Sequence, residues 1–98
     1  MGAPPPPAGE GALVRQATIV NQRGLHARAA AKFVRTAEAF SAKVEVVRDD
    51  MAVAGTSILG LMLLAAGIGT VLTLRAEGED AEAALSALCD LIGRGFDE

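Results

Sequence analysis

The chain of 98 residues contains no tryptophan and no tyrosine, and only three phenylalanines. Any core it builds is aliphatic, and a hydrophobic content of 51% is enough for one domain of this length. The same lack removes the aromatic platforms on which single-stranded bases stack. Together with a net charge of −3, it sets nucleic acid aside as the main partner. A single cysteine excludes an internal disulfide and fits a reducing compartment, so a cytoplasmic location is expected. Cys89 falls on the apolar stripe of the last helical pattern and reads as a small core residue. One histidine and one cysteine cannot furnish a zinc site within one chain, and no metal or other cofactor is expected.

Acidic residues are missing between Glu10 and Glu38. Five of the nine basic residues, Arg15, Arg23, Arg28, Lys32 and Arg35, lie in that gap. Most of the acidic residues come later, with a cluster at Glu77, Glu79, Asp80 and Glu82. Charge alone leaves two readings open: a docking face for acidic proteins and a phosphate, or an ordinary solvated helix face.

Charge of either sign is missing from residues 51–74. A run of roughly 20 apolar residues can span a bilayer. Here Thr56-Ser57 is a helix-start signal inside the run, and Gly67-Ile68-Gly69-Thr70 is turn chemistry. No tryptophan or tyrosine belt flanks it. Divided at those points it becomes strand, helix, turn and strand of a well-buried domain, without membrane insertion. A small membrane protein is the rival reading.

Residues 1–11 hold all four prolines and have neither a basic start nor an apolar segment, so they do not read as a signal peptide. The myristoylation pattern needs Ser or Thr where Pro6 and Pro7 stand. A disordered, proline-rich tail is expected over 1–11, ahead of one domain over 12–98. Within that domain, β-branched content predicts a strand over 12–20. A helix over 27–39 follows, with Ala30, Phe33, Val34 and Ala37 on its buried face and Arg28, Lys32 and Arg35 on another. Alternation predicts a strand over 41–48, with Asp49-Asp50 turning into a short strand over 51–54. Then come a helix over 57–66, a strand over 70–76 and a helix over 81–92. Ala81, Leu85, Leu88 and Ile92 line the last helix, with Gly93 and Gly95 ending it. Ile58, Leu59, Leu61, Met62 and Leu63 make the second helix apolar nearly all round, so most of them are expected in the core, leaving one or two for an exposed patch. The order β-α-β-β-α-β-α suits an α+β fold: one sheet with helices on a single face.

The only histidine, His26, follows Gly24 and stands where the first helix begins. Free backbone N–H groups and the positive end of the helix dipole point at that position. A phosphoryl group on the ring would meet ready donors there, from Ala27 and Arg28 onward. Only positive charge is expected around His26 from its sequence neighbours, an environment that favours the neutral ring able to attack phosphorus.

Gly24-Leu25-His26-Ala27-Arg28, with the alanine-rich helix behind it, resembles the active-site segment of HPr, the histidine phosphocarrier of the phosphoenolpyruvate-dependent phosphotransferase system. Thr56-Ser57-Ile58-Leu59-Gly60-Leu61-Met62 resembles that family's regulatory serine segment. Leu74-Arg75-Ala76-Glu77-Gly78-Glu79-Asp80-Ala81 resembles its last strand and helix start. The likeness covers about residues 13–92, and its wording is most similar to the nitrogen-related branch of proteobacteria. It implies an open-faced β-sandwich: a four-stranded antiparallel sheet with three helices on one face. It implies His26 as phosphoryl acceptor, Arg28 as the residue that orients and neutralises the phosphoryl oxygens, and Ser57 as a regulatory phosphosite. Implied partners are enzyme I as donor, an enzyme IIA protein as acceptor, and an HPr kinase/phosphorylase acting on Ser57. The chain is then a monomeric phosphotransfer intermediate and not an independent enzyme. Three features depart from the family pattern: Ala29 replaces a common proline, Thr56 replaces a common lysine, and a proline-rich tail precedes the first strand. Ser is also a favoured N-cap, which explains Ser57 without regulation. The second functional reading is a non-catalytic regulatory binding module of the same fold, in which Ser57 and an apolar patch matter and His26 does not.

Overall fold

The computed structural model describes residues 12–98; the tail expected over 1–11 lies outside the described residues. The strands are β1 (Leu13–Thr18), β2 (Lys43–Arg48), β3 (Met51–Ala54) and β4 (Val71–Glu77). The helices are α1 (Ala27–Glu38), α2 (Ile58–Leu63) and α3 (Ala81–Gly93), and a 3₁₀ turn covers Gly95–Asp97. The strands form one antiparallel sheet in the order β1-β4-β2-β3. This is the expected α+β open-faced sandwich, and every predicted element is present.

Alternation along each strand separates the two faces of the sheet. Leu72, Leu74 and Ala76 of β4 and Val44 and Val46 of β2 are buried beneath the helices. They close on Ala30, Phe33, Val34 and Ala37 of α1 and on Ala81, Leu85, Leu88 and Ile92 of α3. The other face carries Gln16, Thr18, Thr73 and the Arg75–Glu45 ion pair at 3.1 Å. Cys89 is half-buried against the core, and burial, partly offset by Arg15, pushes its thiol pKa up.

Three expectations change. The second helix ends at Leu63, not at Ala66, because Ala65 turns into the left-handed region at φ +50. The Arg48 guanidinium donates to the carbonyls of Leu64 and Ala65 at 2.8 and 2.7 Å and closes that end. Of the five large apolar residues in α2, only Leu61 is buried; Ile58, Leu59, Met62 and Leu63 are exposed. A six-residue helix lying across α1 and β3 buries one stripe and leaves the rest outside. Finally, Gly93 lies inside α3, and the chain leaves it through Gly95 at φ +67. The turn that follows buries Phe96 completely, an element the sequence pattern does not announce.

Candidate functional site

His26 is the N-cap of α1, with extended backbone angles and no hydrogen bond from its ring to the helix. The N–H of Ala30 is the first to reach back, to the His26 carbonyl at 2.8 Å. The preceding N–H groups of Ala27, Arg28 and Ala29 therefore have no partner within the helix. No acidic side chain stands in the first turn. Ala27 and Arg28 are exposed, whereas Ala29 is buried. Ala29, where the family commonly has proline, thus packs its methyl into the core at the first helical turn.

The loop ahead of His26 is held tightly. Gly24 adopts φ +67, and a Cβ there would lie 2.4 Å from the carbonyl oxygen of Ala66. The next residue, Leu25, donates its N–H to that same oxygen at 2.9 Å. Asn21 is buried; its side-chain amide donates to the Gly24 carbonyl at 2.9 Å. The histidine is consequently fixed from two sides, by the loop beyond α2 and by the Asn21 bracket.

The ring also meets a carboxylate. His26 Nε2 is hydrogen-bonded to Glu98 Oε2, and Glu98 Oε1 accepts from the Asn21 amide at 3.0 Å. These two hydrogen bonds hold the Glu98 carboxyl below its ordinary pKa, with Arg23 adding to the effect. The sequence neighbours of His26 are basic, but the fold brings in an acid from 72 positions away. Nothing local in the sequence signals Glu98. Asn21 had a weak signal, as an Asn opening a glycine turn. Among the described residues, no hydrogen bond reaches His26 Nδ1, and Arg23, Arg28 and Arg35 have no ion pair. Lys32, expected on the open basic face, instead donates to the Phe96 carbonyl at 2.6 Å.

Ser57 stands apart from this cluster. Its hydroxyl accepts the Gly60 N–H at 2.9 Å, capping α2, while the His26 loop touches the chain beyond the opposite end of that helix, at Ala66. Among the described residues, no group of three or more metal-ligating side chains comes together, and no helix is long and apolar enough to cross a membrane.

Comparison with known proteins points to one family. Residues 13–94 match the family described as the PTS HPr component phosphorylation site. The chain is 45% identical over 86 residues to phosphocarrier protein NPr of Shewanella violacea, covering 88% of this chain and 94% of that one. It is 52% identical over 82 residues to phosphocarrier protein HPr of Pseudomonas aeruginosa, covering 83% and 91%. The crystal structure of an HPr from Thermoanaerobacter tengcongensis superposes with a TM-score of 0.84 at 45% identity, covering 88% of this chain and 97% of that one. Relatives of both names are matched over nearly their whole length, and the chain belongs to the HPr family of phosphocarriers of the phosphotransferase system.

Proposed function

We propose that His26 takes a phosphoryl group from phosphorylated enzyme I and passes it to an enzyme IIA protein. The observation that carries this reading is the position of His26: a side chain at the N-cap that does not cap. Ser, Thr, Asp or Asn there would satisfy one of the helix's free donors. A histidine leaves them open, and donors at a helix N-terminus suit a phosphoryl group. Arg28, exposed and without an ion pair among the described residues, compensates the phosphoryl charge. Phosphoryl transfer depends on positioning and charge compensation, which this site can supply.

The exposed side chains of Ile58, Leu59, Met62 and Leu63 form an apolar surface on α2, next to α1. In this reading they dock partners, and the basic face of α1 steers acidic ones. Phosphorylation of Ser57 would place negative charge beside that surface and weaken docking. The nitrogen-related wording favours a regulatory output in the cytoplasm, with the chain acting as a monomer.

The test uses phosphoenolpyruvate and the cognate enzyme I, with intact-mass measurement at neutral pH. Wild type gains one acid-labile phosphate and His26→Ala gains none. An Arg28→Ala protein accepts and donates the group more slowly. A wild-type chain that stays unmodified beside an enzyme I active on another carrier would leave the binding-module reading, carried by the exposed α2 surface alone.

A further inference from the structure

We propose that the outer edge of β3 is a docking site for an extended segment of a partner protein, apolar at alternate positions and ending in a lysine or arginine that lies against Asp49 and Asp50. The inference rests on α2 being a docking surface and adds a backbone contact beside it.

Among the described residues β3 has one strand partner, β2, so its other side is an edge of the sheet. The Gly55 N–H donates to the Val44 carbonyl at 2.8 Å, which makes these two a hydrogen-bonded pair. Alternation from there makes Val46–Val53 and Arg48–Met51 the other bonded pairs. Ala52 and Ala54 therefore aim their backbone groups away from β2. The Ala54 carbonyl is taken by the Ser57 N–H at 3.1 Å. That leaves the N–H and carbonyl of Ala52 and the N–H of Ala54 facing outward, on two exposed residues. Sheet edges are ordinarily guarded by charge or proline. The opposite edge, β1, carries Arg15, whereas Met51-Ala52-Val53-Ala54 has neither guard. Three backbone groups are a small anchor, so an added strand also needs side-chain contacts.

Those contacts lie on the helix side of the edge. Arg48 and Met51 share that side, since the Arg48 guanidinium reaches the end of α2. Between the hairpin and α2 lies a groove of about 220 Å³, lined by Arg48, Asp49, Asp50, Met51, Leu63 and Leu64. Met51 is 45% exposed, and Leu63, 64% exposed, belongs to both the groove and the apolar surface of α2. A strand added to β3 turns alternate side chains toward the groove and the others toward the open face of the sheet. Apolar side chains suit the groove positions. At the hairpin end Asp49 and Asp50 are both exposed; Arg48 stands 4.0 Å from Asp49, and Asp50 has no ion pair among the described residues. Asp49 adopts φ +55, a turn conformation that Asn or Gly fills without charge. Two carboxylates against one guanidinium leave the tip negative, so the complementary segment ends in a cation.

The test titrates the ¹⁵N-labelled full chain with a synthetic peptide of alternating threonine and valine that ends in an amidated lysine. Amide hydrogen exchange at Ala52 and Ala54 slows about threefold at a free peptide concentration of about twice Kd. The same peptide N-methylated at its pairing positions gives no such protection. Proline is tolerated where an edge N–H faces outward, so Ala52→Pro keeps the wild-type amide spectrum elsewhere and binds about fivefold more weakly. Asp50→Asn weakens binding at low salt and matches wild type at high salt. A peptide that shifts only α2 amides, or an N-methylated peptide that binds as well as its parent, overturns the inference. So does protection of Ala52 and Ala54 that grows with chain concentration alone, which would make a second copy the occupant. Phosphate uptake from enzyme I is read separately by mass. A chain that takes phosphate without any β3 response loses this inference and keeps the carrier reading. A β3 response in a chain that takes no phosphate supports the docking edge and overturns the carrier reading.

Discussion

At the scale of single residues, the site depends on two positions that give up local stability. Gly24 stands where L-residues are strained, and its missing Cβ is what lets the Ala66 carbonyl approach. Gly24→Ala should therefore cost more than about 2 kcal/mol, since the left-handed penalty alone is roughly 1–2 kcal/mol and the blocking atom is backbone. Urea unfolding measures that cost, and a loss below 1 kcal/mol would mean the loop can move aside. His26 is the second such position. A good N-cap is worth about 1 kcal/mol, and His26 supplies no cap bond. Its replacement by Asn gains the cap and loses an exposed bond to Glu98. The expected result is a chain more stable by up to ~1 kcal/mol that no longer accepts phosphate. A less stable His26→Asn protein would show that the Glu98 contact outweighs a cap.

At the scale of elements, two short pieces fix the surroundings of His26. The end of α2 is fixed by Arg48 and by a left-handed Ala65. Ala65→Gly relieves a penalty of roughly 1–2 kcal/mol while freeing the unfolded chain by about 0.5–1 kcal/mol, so a net gain near 0.5 kcal/mol is expected in denaturant unfolding. The turn at Gly95–Asp97 is held by Phe96. Truncating it to Ala should cost about 3–5 kcal/mol, as for other fully buried Phe side chains, and should also release Glu98 from His26. The Glu98 contact depends on pH in a defined direction. Its carboxyl is lowered from 4.5, so the stabilisation is complete above that value and is lost as pH falls below it toward the folded-state value. The chemical shifts of Glu98 and of the Asn21 amide should move together in that acid range. A Glu98 titrating at the ordinary value would mean the carboxylate spends its time in solvent.

At the scale of the whole molecule, what could be read from the sequence was whatever is local. The His26 loop, the α1 start and Arg28 form one contiguous segment, and its glycine turn and helix periodicity are visible in the residues themselves. The element order follows from patterning for the same reason. The exposure of α2 does not, because a helix with Leu and Met on every side reads identically whether it is enclosed or left on the surface; its short length and its lie against α1 and β3 decide. Glu98 was equally unreadable, since only the folded terminal turn brings it to His26. The assembled surface then combines two attractions that respond differently to salt. Arg23, Arg28 and Arg35 are exposed on an acidic protein, and α2 carries an apolar patch that includes Leu59 at 70% exposure. Screening shortens the reach of charge to about 10 Å at 0.1 M and roughly 3 Å at 1 M, while apolar burial is not weakened by salt in this way. Arg35→Ala should therefore slow phosphoryl acceptance at low salt and match wild type at high salt. Leu59→Ser should slow it at both, with fold stability unchanged within about 0.5 kcal/mol. Rates taken across a salt series separate the two contributions. If Arg35→Ala and Leu59→Ser showed the same salt dependence, the basic face of α1 would not be steering the encounter and docking would rest on α2 alone.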